Sequence, residues 1–208
     1  MTAEPKLKRM STLIITTGIA ESVMLFLFYW IVNDQVPIIN GRGMFFADFY
    51  IWLNAWTLLF LIFGTNRLIN RFGLVVALLT LPLALLFGSS YLIVQSTMVA
   101  MYLLRIIYSA LEQSLYGQGL DRLILEVDES HARQVRPILH GLAVRMGRAL
   151  GAILVMILAL GAGISFTHMT VVFMAILFFW AGTAYSLRPY LHRSSLLSHQ
   201  GVNFGTTE

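Results

Sequence analysis

Six long runs of apolar residues, separated by short polar segments, constrain this chain more than any other feature. A helix needs about 20 apolar residues to cross the hydrocarbon core of a bilayer, so six spans need about 120. Apolar residues make up 58% of the 208 residues, about 121, and only 12% are charged. Average soluble domains are about 45–50% apolar and about 25% charged. The composition excludes a water-soluble globular domain, and the sequence predicts an all-α, polytopic membrane protein.

The apolar runs also give the expected division of the chain. The predicted spans cover about 12–32, 45–64, 73–93, 96–117, 142–163 and 167–187. A polar segment, 1–11, precedes the first span, and a polar tail, 188–208, follows the last one. No linker divides the chain, so 12–187 is expected to form a single transmembrane domain of six helices.

Lysine and arginine are distributed unevenly between the two sides of these spans. With the N-terminus inside, 12 of the 14 basic residues fall on the inner side, while Arg42 lies outside and Arg105 lies within a span. Cytoplasmic loops of membrane proteins carry an excess of Lys and Arg. This pattern predicts that both termini, 65–72 and 118–141 are cytoplasmic and that 33–44 is external. The expected localisation is the inner (plasma) membrane of a bacterium.

Several function classes lack their sequence signatures. The chain holds no cysteine, its five histidines have no metal-ligand spacing, and no Walker loop, nucleophile elbow or zinc-protease motif occurs. We therefore expect neither enzymatic activity nor a metal or other cofactor. The basic residues are scattered between apolar runs, so the net charge of +4 is a topology signal and does not indicate nucleic-acid binding.

Two stretches resemble a transporter family. RLINRFGL, between the second and third spans, is similar to the basic turn found there in one half of a major facilitator superfamily transporter. The stretch from LLRIIYSALEQ to RMGRALGAIL resembles the ATP:ADP antiporter, or nucleotide translocase, branch. That branch carries an arginine in the corresponding helix, a Leu-rich loop before a basic run, and a helix start like that at Arg145, Gly147 and Gly151. The resemblance covers helices 2 to 5, and helices 1 and 6 only by hydropathy.

The resemblance implies half of a major-facilitator fold, with six helices arranged as two inverted three-helix repeats. The chain looks most like the second, C-terminal half of such a transporter, which has about twelve helices in all. A natural half, the product of a split gene and a fragment of a longer chain are all open. Besides the lipid bilayer, the expected partner is a second six-helix half, a homodimer or another membrane subunit.

Charged residues inside the first and fourth spans are the candidates for a site. Glu21 and Arg105 lie near the middle of their spans, where a charge costs about 2.5–3.5 kcal/mol on insertion scales. Each is therefore expected to face a cavity or a partner. The stripe predicted to line a substrate or ion cavity comprises Thr17, Glu21, Arg105, Tyr108, Ser109 and Glu112. A buried Glu21–Arg105 pair that only fixes the packing is the alternative.

The fourth span also predicts which helices face the cavity. Arg105 and Glu112 are seven residues apart, about two helical turns, and so share a face. In the family that the chain resembles, the first helix of each repeat lines the cavity and the third lies toward lipid. Here the third and sixth spans contain no charge. We therefore expect helices 1 and 4 at the cavity and helices 3 and 6 turned toward lipid.

The start of the fifth span carries two further features. Arg145 and Arg148 suit contacts with an anion such as a phosphate, because arginine matches phosphate geometry. Snorkelling of both side chains to the cytoplasmic interface is the interpretation that we favour. Gly147 and Gly151 form a G-x-x-x-G pattern, which more often indicates close packing of helices than contact with a ligand.

Two functions remain open. The first is a membrane transporter, or half-transporter, that moves a small solute by alternating access. The resemblance implies an organic anion, or a nucleotide-like one, as that solute. The second is a non-transporting six-helix subunit or scaffold of a larger membrane complex. The two differ in what faces the polar stripe, because one six-helix bundle supplies only one wall of an alternating-access cavity.

Overall fold

The computed structural model describes residues 3–36, 39–63, 65–125, 138–161 and 163–188, and every regular element in these ranges is helical. The all-α prediction is therefore confirmed. Helical segments that follow one another without a break are given one label each. They are α1 (Ala3–Gln35), α2 (Ile39–Phe63), α3 (Thr65–Val94), α4 (Met98–Leu111, Glu112–Tyr116 and Gly117–Leu125), α5 (Ile138–Ala143, Val144–Met156 and Ile157–Gly161) and α6 (Phe166–Tyr185). The sections Glu112–Tyr116, Ile138–Ala143 and Ile157–Gly161 are π-helical turns.

Five of the helices are long and apolar enough to cross a membrane. These stretches are Leu7–Gln35, Gly41–Ile62, Gly73–Val94, Gly141–Ala159 and Phe166–Tyr185. They coincide with five of the six predicted spans. The remaining predicted span, 96–117, is the fourth in chain order and falls on α4. The regular section Met98–Leu111 of α4 ends after 14 residues at the π turn that begins with Glu112.

The predicted basic turn at 65–72 is helical and belongs to α3. The helix breaks at Gly73, which has φ 81° and ψ 168°. Residues other than glycine rarely adopt this positive φ, so the glycine permits the change of direction there. The membrane-spanning part of α3 begins at this break.

Polar side chains satisfy helix ends at one end of the bundle. The Gln35 side-chain carbonyl accepts a hydrogen bond from the Met98 N–H at 3.1 Å, and its amide donates to the Ser96 carbonyl at 3.2 Å. Arg42 donates from Nε to the Val36 carbonyl at 2.6 Å, just past the end of α1. A cation is favourable at the carbonyl end of a helix. The arginine that the charge count placed outside thus caps α1.

The opposite end of the bundle joins the first and last helices. Arg9 Nη1 donates to the Ser186 carbonyl at 2.7 Å, so the start of α1 and the end of α6 lie side by side.

Helix α1 is the central helix of the bundle. In the most apolar 18-residue window of each membrane-spanning helix, 56% of the residues of α1 are buried, compared with 17% for α2 and 22% for α5. α1 packs along α5 and α6, α4 packs along α2 and α3, and α3 packs along α6. The side chains fully enclosed by these contacts include Leu13, Met24, Leu27, Leu78, Leu81, Leu85, Phe173, Leu177 and Trp180.

The expectation that α3 and α6 turn toward lipid stays a prediction. Their windows are 33% and 28% buried, more than those of α2 and α5. The reason is that α3 and α6 pack against each other as well as against α4 and α1. The most exposed apolar faces of this bundle therefore belong to α2 and α5.

Candidate functional site

A cleft of about 350 Å³ opens between α1, α4 and α5. Its volume lies within the range of about 300–1,000 Å³ that is usual for small-molecule sites. Three charged side chains line it, namely Glu21 of α1, Glu112 of α4 and Arg148 of α5. The remaining lining residues are Ile14, Thr17, Gly18, Gln113, Tyr116, Gly117, Leu120 and Val144. Charged and polar groups thus gather in an otherwise apolar bundle.

Glu21 and Arg148 form an ion pair in this cleft. Arg148 Nε donates to Glu21 Oε2 at 2.7 Å, and the two side chains are 52% and 16% exposed respectively. Glu21 is the midpoint of the Leu7–Gln35 stretch, so the pair lies about halfway along the most buried helix. A charge at this depth is costly without a partner, and Arg148 supplies that partner.

Small residues bring α1 and α5 close enough to form the pair. A Cβ atom added to Gly18 would lie 2.8 Å from the Arg148 backbone nitrogen, and one added to Gly147 would lie 3.1 Å from Gly18 Cα. A Cβ atom added to Gly151 would lie 2.7 Å from Ser22 Cβ. Such contacts are closer than side chains tolerate, so Gly147 and Gly151 act in helix packing, as their spacing predicted. The Ser22 hydroxyl also lies 3.0 Å from the Arg148 carbonyl oxygen.

The predicted Glu21–Arg105 pair is wrong, because Glu21 binds Arg148 instead. The close approach of α1 to α5 decides the partner, and Arg105 is on α4. The Arg105 guanidinium carbon lies 5.3 Å from the centre of the Tyr108 ring. Its Nη1 atom is buried and has no hydrogen-bond partner among the described residues. Arg105 is therefore near the cleft but does not line it.

The two arginines of α5 differ in their positions. Arg148 lines the cleft, so the snorkelling interpretation is wrong for that residue. Arg145 is exposed and does not contribute to the cleft lining, which agrees with snorkelling. The three-residue spacing places the two guanidiniums in different surroundings, and only Arg148 stays among the candidates for contact with a solute.

Glu112 has no ion-pair partner in the part of the chain that the structure describes. It lies within electrostatic range of Glu21, Arg105 and Arg148. It also begins the π turn Glu112–Tyr116, at whose end the Gly117 N–H donates to the Glu112 carbonyl. Single π turns inside α-helices occur frequently at functional sites, since they change the direction of the side chains that follow.

Tyr116 links three helices beside the cleft. The Thr17 hydroxyl donates to the Leu13 carbonyl at 2.8 Å, so the Tyr116 hydroxyl is the donor in its 2.6 Å hydrogen bond to Thr17. The Tyr116 ring packs edge-on against Trp180, with 5.5 Å between the ring centres. These contacts hold α1, α4 and α6 together at the position of Thr17.

The predicted polar stripe divides into two sets. Thr17, Glu21 and Glu112 line the cleft, and their role in binding a substrate or ion stays a prediction. Tyr108 and Ser109 are buried and do not line it. The Tyr108 hydroxyl has no hydrogen-bond partner of normal geometry among the described residues, and the Ser109 hydroxyl accepts from the Gln113 amide at 3.2 Å. With Arg105, they form a layer of α4 behind the cleft.

Sequence reasoning missed Gly18, Ser22 and Gln113. Gly18 and Ser22 have the small-x-x-x-small spacing, and the same spacing at Gly147 and Gly151 was noted on α5. Matching these two patterns would have predicted the α1–α5 contact and so the neighbour of Glu21. Gln113 gave no such signal, because the π turn that places it cannot be read from hydropathy.

No group of three or more His, Asp or Glu side chains that could hold a metal ion occurs in the described ranges. Comparisons with protein-family models, curated protein sequences and solved structures found no match to this chain. The geometry of the cleft is therefore the feature that bears on function.

Proposed function

We propose that the protein is a membrane transporter, or half of one, that moves a small solute by alternating access. The observation that carries this proposal is the charged cleft of Glu21, Glu112 and Arg148 halfway along the central helix. Charged side chains inside membrane helices are rare and mark substrate or ion pathways. A purely structural ion pair needs only Glu21 and Arg148, and leaves Glu112 and the cleft volume without a purpose.

We further propose that α4 also crosses the membrane, which gives six spans in all. The helices would then form two inverted repeats, α1–α3 and α4–α6. The residues at both junctions of α4, Glu112 and Gly117, have α-helical dihedral angles, which supports a continuous helix. The packing also has the expected symmetry. Exchanging α1 with α4, α2 with α5 and α3 with α6 turns the α1–α5 contact into α4–α2, and α1–α6 into α4–α3. This arrangement corresponds to half of a major-facilitator fold.

A transporter of this kind needs a second bundle opposite the cleft. Alternating access is largely the rocking of one bundle against another around a central site. The least buried helices, α2 and α5, flank α4 and α1 respectively and are available for that contact. We propose a homodimer or a separate six-helix half as the partner.

The proposed location is the inner membrane of a bacterium, with both termini in the cytoplasm. The contact between Arg9 and the Ser186 carbonyl supports placing both ends on one side. The assignment of that side to the cytoplasm comes from the distribution of Lys and Arg along the sequence.

An organic anion or nucleotide-like solute stays a proposal, but the cleft composition favours it less than other solutes. Two carboxylates and one guanidinium line the cleft, so an anion would meet no net positive charge there. Arg105, which the antiporter resemblance emphasises, lies outside the lining.

Uptake into proteoliposomes tests the transporter proposal. The purified chain is reconstituted and assayed with labelled amines, amino acids, organic acids and nucleotides. We expect saturable uptake of at least one class, lost in Arg148→Gln and retained in Arg145→Gln. The second variant is a matched control, because Arg145 is an exposed arginine outside the cleft.

The alternative is a non-transporting membrane subunit or scaffold. The close α1–α5 contact and the exposed faces of α2 and α5 would serve that role equally well. Absence of saturable uptake for every solute class, together with a stoichiometric complex with an unrelated membrane protein in mild detergent, would favour this alternative.

A further inference from the structure

We propose that the cleft binds a small organic ammonium ion, with the Glu112 carboxylate as its counter-ion. This inference rests on the proposed function, because it names the class of solute that the same cleft would take.

The charges that line the cleft do not balance. Glu21 and Arg148 neutralise each other at 2.7 Å, which leaves Glu112 as the lining charge without an ion-pair partner among the described residues. A buried ionised carboxylate without a partner is strongly unfavourable, so a positive charge or a proton must compensate it. A solute that brings a positive charge into the cleft removes that cost.

The groups around Glu112 leave this position open to a cation. Glu21 faces it from α1 and Arg148 faces it from α5, and these two are engaged with each other. On α4, Arg105 lies within electrostatic range of Glu112, but its guanidinium lies at the Tyr108 ring and not in the cleft. The Tyr108 hydroxyl also faces Glu112 from α4 and carries no charge that would replace a cation. The described side chains of α3 and α6 within the membrane-spanning stretches Gly73–Val94 and Phe166–Tyr185 include no Asp, Glu, Lys or Arg.

The other described carboxylates on α4 and the helices packed against it are Asp34 of α1, Asp48 of α2 and Asp121 of α4, and none of them lines the cleft. Asp48 lies in electrostatic range of Tyr102, almost three helical turns before Glu112 along α4. These carboxylates therefore do not compete for a cation in the cleft.

The size and lining of the cleft favour an organic cation over a bare metal ion. A volume of about 350 Å³ exceeds what a single metal ion fills. Apolar side chains of Ile14, Leu120 and Val144 share the lining with the charged groups, so substituents on the nitrogen would find apolar contacts. The Gln113 side-chain carbonyl and the Tyr116 ring are further groups that attract an ammonium ion.

Choline is the first probe, and its uncharged carbon isostere, in which a tert-butyl group replaces the trimethylammonium group, is the matched ligand control. Ethanolamine and tetraethylammonium extend the size range, and adenosine monophosphate represents anions. Binding is measured by calorimetry on the purified full chain in lipid nanodiscs. We expect at least one ammonium probe to bind and the uncharged isostere and the anion to bind at least about tenfold more weakly, as for loss of a charged partner.

The variants isolate Glu112. Glu112→Gln should weaken ammonium binding roughly tenfold or more, while Glu112→Asp retains binding because it keeps the charge. Asp48→Asn is the control, since it removes a carboxylate outside the cleft. Glu112→Gln is expected to fold, because an amide of nearly the same shape replaces a carboxylate that has no ion-pair partner among the described residues. Its elution profile and thermal transition check this.

Three results would overturn the inference: no binding by any of the three ammonium probes, equal binding by the uncharged isostere, or unchanged binding in a folded Glu112→Gln variant. The transporter proposal fails separately. Ammonium binding that depends on Glu112, without uptake into vesicles, would leave the inference standing and remove transport. Uptake of neutral or anionic solutes without ammonium binding would do the reverse.

Discussion

At the scale of single residues, most of the described charges in this bundle lie at helix ends or have a partner. Arg42 caps the carbonyl end of α1, and Arg9 binds the Ser186 carbonyl. At mid-depth, Glu21 is neutralised by Arg148. Glu112 departs from this pattern, because its side chain lines the cleft and has no ion-pair partner among the described residues.

The Glu21–Arg148 pair predicts coupling between the two residues. Glu21→Gln and Arg148→Gln should each lower the thermal stability of the protein in detergent, since each leaves its partner without compensation. The double variant should be less destabilised than the sum, with a coupling energy of about 1 kcal/mol, because Arg148 is half exposed. Thermal unfolding followed by tryptophan fluorescence provides the measurement.

The control for this cycle is Arg105→Gln combined with Glu21→Gln. Arg105 lies at the Tyr108 ring and is not the ion-pair partner of Glu21. The effects of these two changes should therefore add. Strict additivity for Glu21 with Arg148, or coupling as strong with Arg105, would contradict the pairing described here.

At the scale of helices, two local features position the cleft. Gly18, Gly147 and Gly151 let α1 and α5 approach so closely that an added Cβ atom would clash with the other helix, and this approach brings Arg148 to Glu21. On α4, the π turn beginning at Glu112 places Gln113 and Tyr116 beside the same cleft. Neither feature adds charge to the site, but together they decide which charged residues meet.

The glycine contact predicts a position-dependent effect of alanine. Gly18→Ala and Gly151→Ala should each destabilise the bundle by roughly 1–3 kcal/mol, because the new methyl group meets backbone or side-chain atoms closer than 3 Å. Gly182→Ala on α6 is the control, since a Cβ atom there has no neighbour within 4 Å. Circular dichroism during heating in detergent compares the three variants.

The control should be neutral or slightly stabilising, because alanine favours helix more than glycine does. Equal melting temperatures for all three variants would contradict the close α1–α5 contact. A large loss at Gly182 alone would mean that α6 packs against a partner at this position.

The sequence predicted the helices and part of the cleft, for physical reasons that also explain its failures. Hydropathy locates long apolar helices, and the cost of a mid-membrane charge pointed to Glu21. The seven-residue spacing from Arg105 pointed to Glu112, and both glutamates line the cleft. The partner of Glu21 depends on which helices touch, and hydropathy carries no such information. Arg105 was chosen by depth alone, whereas the glycine spacing on α1 and α5 selects Arg148.

At the scale of the whole molecule, the two ends of the bundle are distinct. One end holds the contact between Arg9 and the Ser186 carbonyl, and the other holds Gln35 at the start of α4 and Arg42 at the end of α1. Both ends of 3–188 therefore lie at the same end of the bundle.

This arrangement predicts which positions are reached from each side of the membrane. Cysteine introduced at Gly41 should react with an impermeant thiol reagent from outside, while cysteine at Asn66 or Ser130 should not. Ser130 lies outside the described residues, and its predicted side comes from the charge distribution. The chain has no native cysteine, so labelling reports only the introduced thiol. Labelling at Asn66 but not Gly41 would reverse the orientation.

The exposed faces of α2 and α5 predict where a second copy would dock if the transporter is a homodimer. In a parallel two-fold dimer, α2 of one copy can lie against α5 of the other at equal depth. Ile51 and Leu150 lie near the midpoints of their membrane-spanning stretches, and both are exposed. A chain carrying Ile51→Cys and Leu150→Cys should therefore form a cross-linked dimer in membranes, seen on a non-reducing gel.

Phe87→Cys on α3 combined with Val171→Cys on α6 is the control for this cross-link. Both side chains are exposed, lie at equal depth in their membrane-spanning stretches and are away from the proposed contact. Cross-linking of the control pair alone would place the interface on α3 and α6. A monomer with both pairs, copurifying in a fixed ratio with a different membrane protein, would point to a separate second half or to the scaffold role.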